Sequence, residues 1–260
     1  MKSTVLTLCL LACLSFPATA ELQSRVLTYT DGLAELKGYF VFDASVEGPR
    51  PGVLVVHEWW GQNEHARKQA DRLAEAGYAA MALDMYGQGK TTDHPEDAAR
   101  MSSIIRENAP NMRRRFHAAM RQLREQPEVK ADKLAAVGYC FGGAVVLDIA
   151  RSGFDLAAVI SMHGSLTPAD VKARPGIKPR ILVCHGSEDA FIPPEAIEAF
   201  KEEMEEAGAN YEFLVLEGAQ HSFTNPEADD LGIAGLAYDA EADRISFEAM
   251  LKLLSEVFSD

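Results

Sequence analysis

The chain has 260 residues, 47% hydrophobic and 25% charged, a globular composition with enough apolar material for one full core. Its formal net charge is −14. That sign excludes the basic footprint of a nucleic-acid binder or of a protein drawn to an anionic membrane surface, and it leaves small-molecule ligands open.

Residues 1–20 read as an export leader. Lys2 supplies the positive start, 5–16 is an apolar run too short to cross a bilayer, and Ala18-Thr19-Ala20 is a small-residue cleavage site. Its removal takes away one positive charge, leaves −15, and makes the product periplasmic or secreted. A second reading lies inside it. Leu10-Leu11-Ala12-Cys13 resembles a bacterial lipobox, which would attach the chain to a membrane through a lipid on Cys13. Residues 21–260 contain no repeat or low-complexity linker and read as one domain.

In chain order, 25–30 and 36–43 are strand-like and joined by Asp31-Gly32, which predicts a hairpin. The run 51–57 is apolar throughout, as in a strand buried on both faces. Residues 63–76 are helical, with Ala66, Ala70, Leu73 and Ala74 on one face and Gly77 as the stop. A strand over 78–85 follows, then an amphipathic helical stretch over 95–126 with a break at Pro110. The alternation continues with strands over 133–139, 156–162, 180–185 and 211–216, and helices over 142–151, 194–207 and 237–258. Strands alternating with helices predict an α/β fold, a mostly parallel central sheet with helices on both faces. In such sheets the chemistry gathers at the carboxyl ends of the strands.

The segment after the 133–139 strand is Gly138-Tyr139-Cys140-Phe141-Gly142-Gly143. It has the G-x-S-x-G form of a nucleophile elbow with sulfur in place of oxygen. The helix behind it would aim free N–H groups at the sulfur and favour the thiolate. Alone, this segment is also compatible with a buried structural cysteine. Two partners follow in the order nucleophile, acid, base: Asp189 after the 180–185 strand and His221 after the last one. Asp189 would orient the imidazole and His221 would face Cys140. Glu188 is the second candidate for the acid. His57 and Glu58 lack the H-E-x-x-H spacing of a zinc site, and no cofactor or metal signature is present. His65, His94 and His117 read as solvated, and His163 and His185 as strand-end residues bonded to backbone. Trp60, Tyr86, Phe191 and Phe223 are the candidates for lining a substrate pocket.

With these residues the chain resembles the dienelactone hydrolase family of the α/β-hydrolase fold. The resemblance rests on Gly138–Gly143, the Glu58 segment, Asp84-Met85-Tyr86, the Asp189 loop and His221-Ser222-Phe223. It implies a small ester or lactone as substrate, Cys140, Asp189 and His221 as triad, the backbone N–H groups of Trp59 and Phe141 as oxyanion hole, and Glu58 as a partner of the resting thiol. It also implies a strand between those of Cys140 and Cys184, too wide a gap for a disulfide. The sequence departs from the family at two positions. Its best-known members grip a substrate carboxylate with two arginines, and the matching residues here are Gln88 and Asn225. Neutral substrates are therefore expected, unless a cation such as Lys90 or Arg106 folds over the site. A redox-sensing or noncatalytic protein on a hydrolase scaffold, and a small peptidase, are the competing readings.

Overall fold

The computed structural model describes residues 20–173 and 175–259. The leader up to Thr19, with Cys13, lies outside the described residues. The fold opens with the expected hairpin, β1 (Leu22–Thr30) and β2 (Glu35–Asp43), paired antiparallel in full register from Leu22–Asp43 to Thr30–Glu35. Asp31 builds the turn by accepting the N–H groups of Leu33 and Ala34 on Oδ1. β3 (Arg50–Val56) is buried almost throughout, as its unbroken apolar run predicts.

Helix α1 (Glu64–Glu75) is capped by the Asn63 side chain, which accepts from Ala66 N–H, and the chain turns at Gly77 with φ 92°. β4 (Ala79–Ala82) is shorter than the predicted strand because Asp84 turns the backbone out of the ladder. Its carboxylate accepts N–H bonds from Tyr86, Gly87 and Gly89 beyond the strand and from Lys37 across it. The stretch expected as one interrupted helix is two, α2 (Pro95–Arg106) and α3 (Ala109–Arg124). The break falls before Pro110, which sits in the first turn of α3, where its missing N–H leaves no bond unmade.

The remaining elements are β5 (Val129–Tyr139), α4 (Phe141–Arg151), β6 (Ala158–Met162), β7 (Arg180–Gly186), α5 (Pro194–Glu206), β8 (Tyr211–Leu216), a short turn of 3-10 helix at Asp229–Leu231, and α6 (Ala240–Phe258). Among the described residues the eight strands form one sheet in the order β1-β2-β4-β3-β5-β6-β7-β8. It is parallel from β4 to β8. Separate apolar cores lie on its two faces, one holding Phe116, Val145 and Phe200, the other Leu73, Tyr139 and Met250.

β6 lies between the strands of Cys140 and Cys184, and both thiols are free. Cys184 is fully buried, and burial pushes its thiol far up. A thiol reagent should therefore titrate one group in the native protein from residue 21 on and two after denaturation without reductant. A Cys140–Cys184 bridge found by mass spectrometry would refute the strand order.

Candidate active site

The residues named for chemistry meet above the carboxyl ends of the central strands. Cys140 follows β5 and caps α4 with φ 53° and ψ −113°, a conformation L residues rarely hold. The glycines around it are required by contact. A Cβ on Gly138 would lie 2.0 Å from Gly142 O, and one on Gly142 would lie 2.3 Å from Val56 O on β3. The turn therefore closes against itself and against the neighbouring strand. Phe141 is the first residue of α4, where amides have no acceptor within the helix.

His221 leaves β8 in a loop tied to a second loop: its N–H donates to Gly235 O and its C=O accepts from Ala237 N–H. Its Nδ1 bonds Asp189 Oδ2 at 2.8 Å, while Asp189 Oδ1 accepts Phe191 N–H at 2.9 Å. Both groups are buried. Burial alone would lower the His221 imidazole, but the negative charge on Cys140, then hydrogen bonds with Asp189 and Cys140, push it up to about 10. The arrangement favours an imidazolium at His221 with the Asp189 carboxylate behind it. Glu188 is exposed, whereas Asp189 is buried against His221.

Glu58 follows β3 and is buried. Its oxygens are taken by Ser222 Oγ at 2.8 Å and Asn225 Nδ2 at 2.9 Å rather than by the Cys140 thiol. Asn225, at one of the two arginine positions, is thus a support for Glu58. Gln88, at the other, is exposed.

A cavity of about 210 Å³ opens over Cys140. Trp59, Phe141, Phe191, Ile192, Ile233 and Leu236 give it a largely apolar wall, and His221, Ser102, Ser165 and Arg106 add the polar groups. Of the four aromatic candidates, Phe191 lines it, with its ring 5.0 Å from that of His221. The others stand behind the wall. Trp60 is buried edge-on against Trp59 at 4.9 Å. Tyr86 donates its hydroxyl to Trp59 O at 2.8 Å. Phe223 is fully buried against the His163 ring at 4.9 Å. Neighbouring loop residues point in different directions, so Trp59 faces the cavity and Trp60 the core.

Two histidines hold the loops together. His163 Nδ1 accepts the Cys140 N–H at 3.1 Å, which places its proton on Nε2, bonded to Thr224 Oγ1 at 2.8 Å. His57 Nε2 accepts Met85 N–H at 3.3 Å, and its Nδ1 donates to Glu58 O. Both bond backbone, as expected of His163. Contrary to expectation, His65 is not solvated: it is buried on α1, edge-on to Tyr139. Nothing in the sequence marked Ser102, Ser165, Ile233 or Leu236, which sit on a helix face or in loops without a motif.

A mostly parallel sheet with a tight strand–cysteine–helix turn and a histidine–carboxylate pair at its carboxyl edge has the architecture of an α/β-hydrolase. The family model described as "Dienelactone hydrolase family" matches residues 36–258. The chain belongs to that family, whose members are ester and lactone hydrolases. It is similar to a solved dienelactone hydrolase-like promiscuous phosphotriesterase from metagenomic libraries, with 40% identity, a TM-score of 0.82, and coverage of 91% of this chain and 98% of that one. An uncharacterised protein of Caenorhabditis elegans is 39% identical over 56% of this chain and 93% of its own. A carboxymethylenebutenolidase homolog of Mus musculus is 28% identical over 77% of this chain and 81% of its own.

Burial lowers the imidazoles of His57, His65 and His163, and for His163 the charge on His221 adds to it. The unfolded chain therefore takes up these protons first. The contribution of these three groups is complete above the unfolded value of about 6.5 and declines as pH falls toward the folded values. Each histidine contributes at most about 1.4 kcal/mol per pH unit. Urea midpoints should fall between about pH 7 and about pH 5.5, and less steeply in His163→Gln. Equal slopes would mean that His163 is charged in the fold.

Proposed function

We propose that the chain hydrolyses a small ester or lactone through Cys140, His221 and Asp189 and a thioester acyl-enzyme, and that it works after export, in the periplasm or outside the cell. One observation carries the reading: the buried 2.8 Å bond between Asp189 and His221, with His221 raised by Cys140, at the floor of a small apolar cavity. In the first step Cys140 Sγ adds to the substrate carbonyl and the oxygen takes the negative charge. The N–H groups of Trp59 and Phe141 stabilise that oxyanion. The carbonyl re-forms as the ester C–O bond breaks, and the His221 proton passes to the leaving alkoxide. In the second step His221 takes a proton from water, the hydroxide adds to the thioester, and the C–S bond breaks to return the thiolate and release the acid.

A cavity of about 210 Å³ suits a small ester better than a peptide chain. A redox-sensing cysteine could use a charged histidine, but it has no need of an apolar cavity the size of a small ester. Because a similar protein is described as a promiscuous phosphotriesterase, phosphotriesters belong in the substrate panel.

Cys140→Ala should lower kcat on activated aryl esters by about 10³-fold or more with the fold intact, since the elbow accommodates a methyl group. Turnover near the wild-type rate would end the thiol mechanism. Adding Asp189→Ala or His221→Ala to Cys140→Ala should lose little more than the worst single change, because the three act as one unit. Multiplying losses across the set would show that they act separately.

A further inference from the structure

We propose that Arg106 determines specificity in this site by receiving a single carboxylate carried by the substrate, from a wall of the cavity that neither missing clamp arginine would occupy. The proposal rests on the ester-hydrolase reading and names its substrate class as esters or lactones with one negative charge. Arg106 is the last residue of α2 and lines the cavity with Cys140, Ser165 and Ile192. Its one hydrogen bond among the described residues runs from Nη2 to Thr167 O at 3.0 Å. No carboxylate among the described residues forms an ion pair with it. The nearest acidic influence, Asp148, is held by Ala169 N–H and lies within 3.8 Å of Arg151.

A guanidinium presents five N–H donors in a planar fork matched to a carboxylate. One that lines an apolar cavity with a single carbonyl as partner keeps most of that capacity free for a ligand. Other cations near the cleft are committed or directed elsewhere. Arg151 bonds Glu203, Arg113 bonds Asp170, and Lys90 lines a separate cleft beside Tyr86 and Arg115. His221 carries the remaining positive charge, but it is committed to Cys140 and Asp189. The expectation of neutral substrates drawn from Gln88 and Asn225 therefore gives way to recognition by one cation on α2. The charge on Arg106 also reaches Cys140. It could act there instead, by stabilising the thiolate, and the experiment must separate the two roles.

Two chromogenic substrates of nearly equal shape do so: the 4-nitrophenyl monoester of succinic acid and its neutral methyl ester. The quantity read is the ratio of their kcat/KM values in wild type, Arg106→Met and Arg106→Lys. Loss of a charge-assisted hydrogen bond predicts a ratio about ten- to hundredfold lower in the Met variant, carried mostly by KM, with much of it kept in the Lys variant. Equal losses on both substrates would assign Arg106 to the thiolate and overturn the proposal, as would an unchanged ratio. A second measurement needs neither turnover nor a variant. Hexanoate should protect Cys140 of the wild-type protein from iodoacetamide at lower concentration than hexanamide. No such preference overturns the proposal. A clear preference in a protein that cleaves no ester would overturn the hydrolase reading and leave carboxylate recognition standing.

Discussion

The site depends on a backbone that would not adopt its shape unaided. A cysteine at φ 53° and ψ −113° is held outside the regions open to L residues, at a cost of about 1–3 kcal/mol. The surroundings over-determine it. Gly138 and Gly142 let β5 and α4 close to contact, and Gly142 lets α4 approach the carbonyl edge of β3. The Cys140 N–H is shared between Met162 O, on the adjacent strand, and His163 Nδ1. The sharp turn lifts the sulfur above the sheet and begins a helix immediately behind it. The same geometry therefore leaves the thiol half-exposed with the free amides of α4's first turn close behind it.

Neutral imidazole suits the two crosslinking positions because it accepts at one nitrogen and donates at the other. His163 joins the elbow to Thr224 beyond β8, and His57 joins the β3 loop to the β4 loop. A lysine or arginine could only donate and would leave the amide of Cys140 or Met85 without that acceptor. Charge is kept to the third histidine. His221 and His163 have ring centres 5.2 Å apart, so a proton on one opposes a proton on the other. Asp189 sides with His221 and burial opposes His163. The positive charge thus rests on the ring next to the sulfur.

The parts of this arrangement with a steric or covalent signature were legible in the sequence. Glycines around Cys140 are forced by contact, and strand-ending loops carrying Asp189 and His221 are set off by apolar runs. Side-chain direction outside such motifs was not legible. Helix α2 buries only Ala98 and Ile105, so its weak periodicity does not say that Arg106 faces a cavity. His65 sits beside Ala66 at the edge of the buried stripe of α1, where one turn of the helix decides between water and core. The strand expected over 78–85 ended early because a side chain, Asp84, took over hydrogen bonding from the sheet, a competition that apolar patterning does not register.

The exchange of arginine for Asn225 alters the electrostatics as well as the clamp. A buried carboxylate must find donors, and Ser222 and Asn225 satisfy both Glu58 oxygens without adding charge. An arginine at 225 would stand within reach of Glu58, and part of its charge would be spent on that carboxylate before any substrate arrived. With a neutral donor there, both Glu58 oxygens stay bonded without a second charge beside them. On the proposed reading an incoming carboxylate needs a cation free of protein carboxylates, and Arg106 on α2 lines the cavity with no ion pair among the described residues. In the proposed mechanism, negative charge leaves the sulfur for an oxygen held by backbone amides as Sγ adds to the carbonyl. The Arg106 guanidinium would then have the substrate's own carboxylate as a partner. In a protein of net charge −14, that single local cation would set which anions the site accepts, while the overall field slows the approach of all of them.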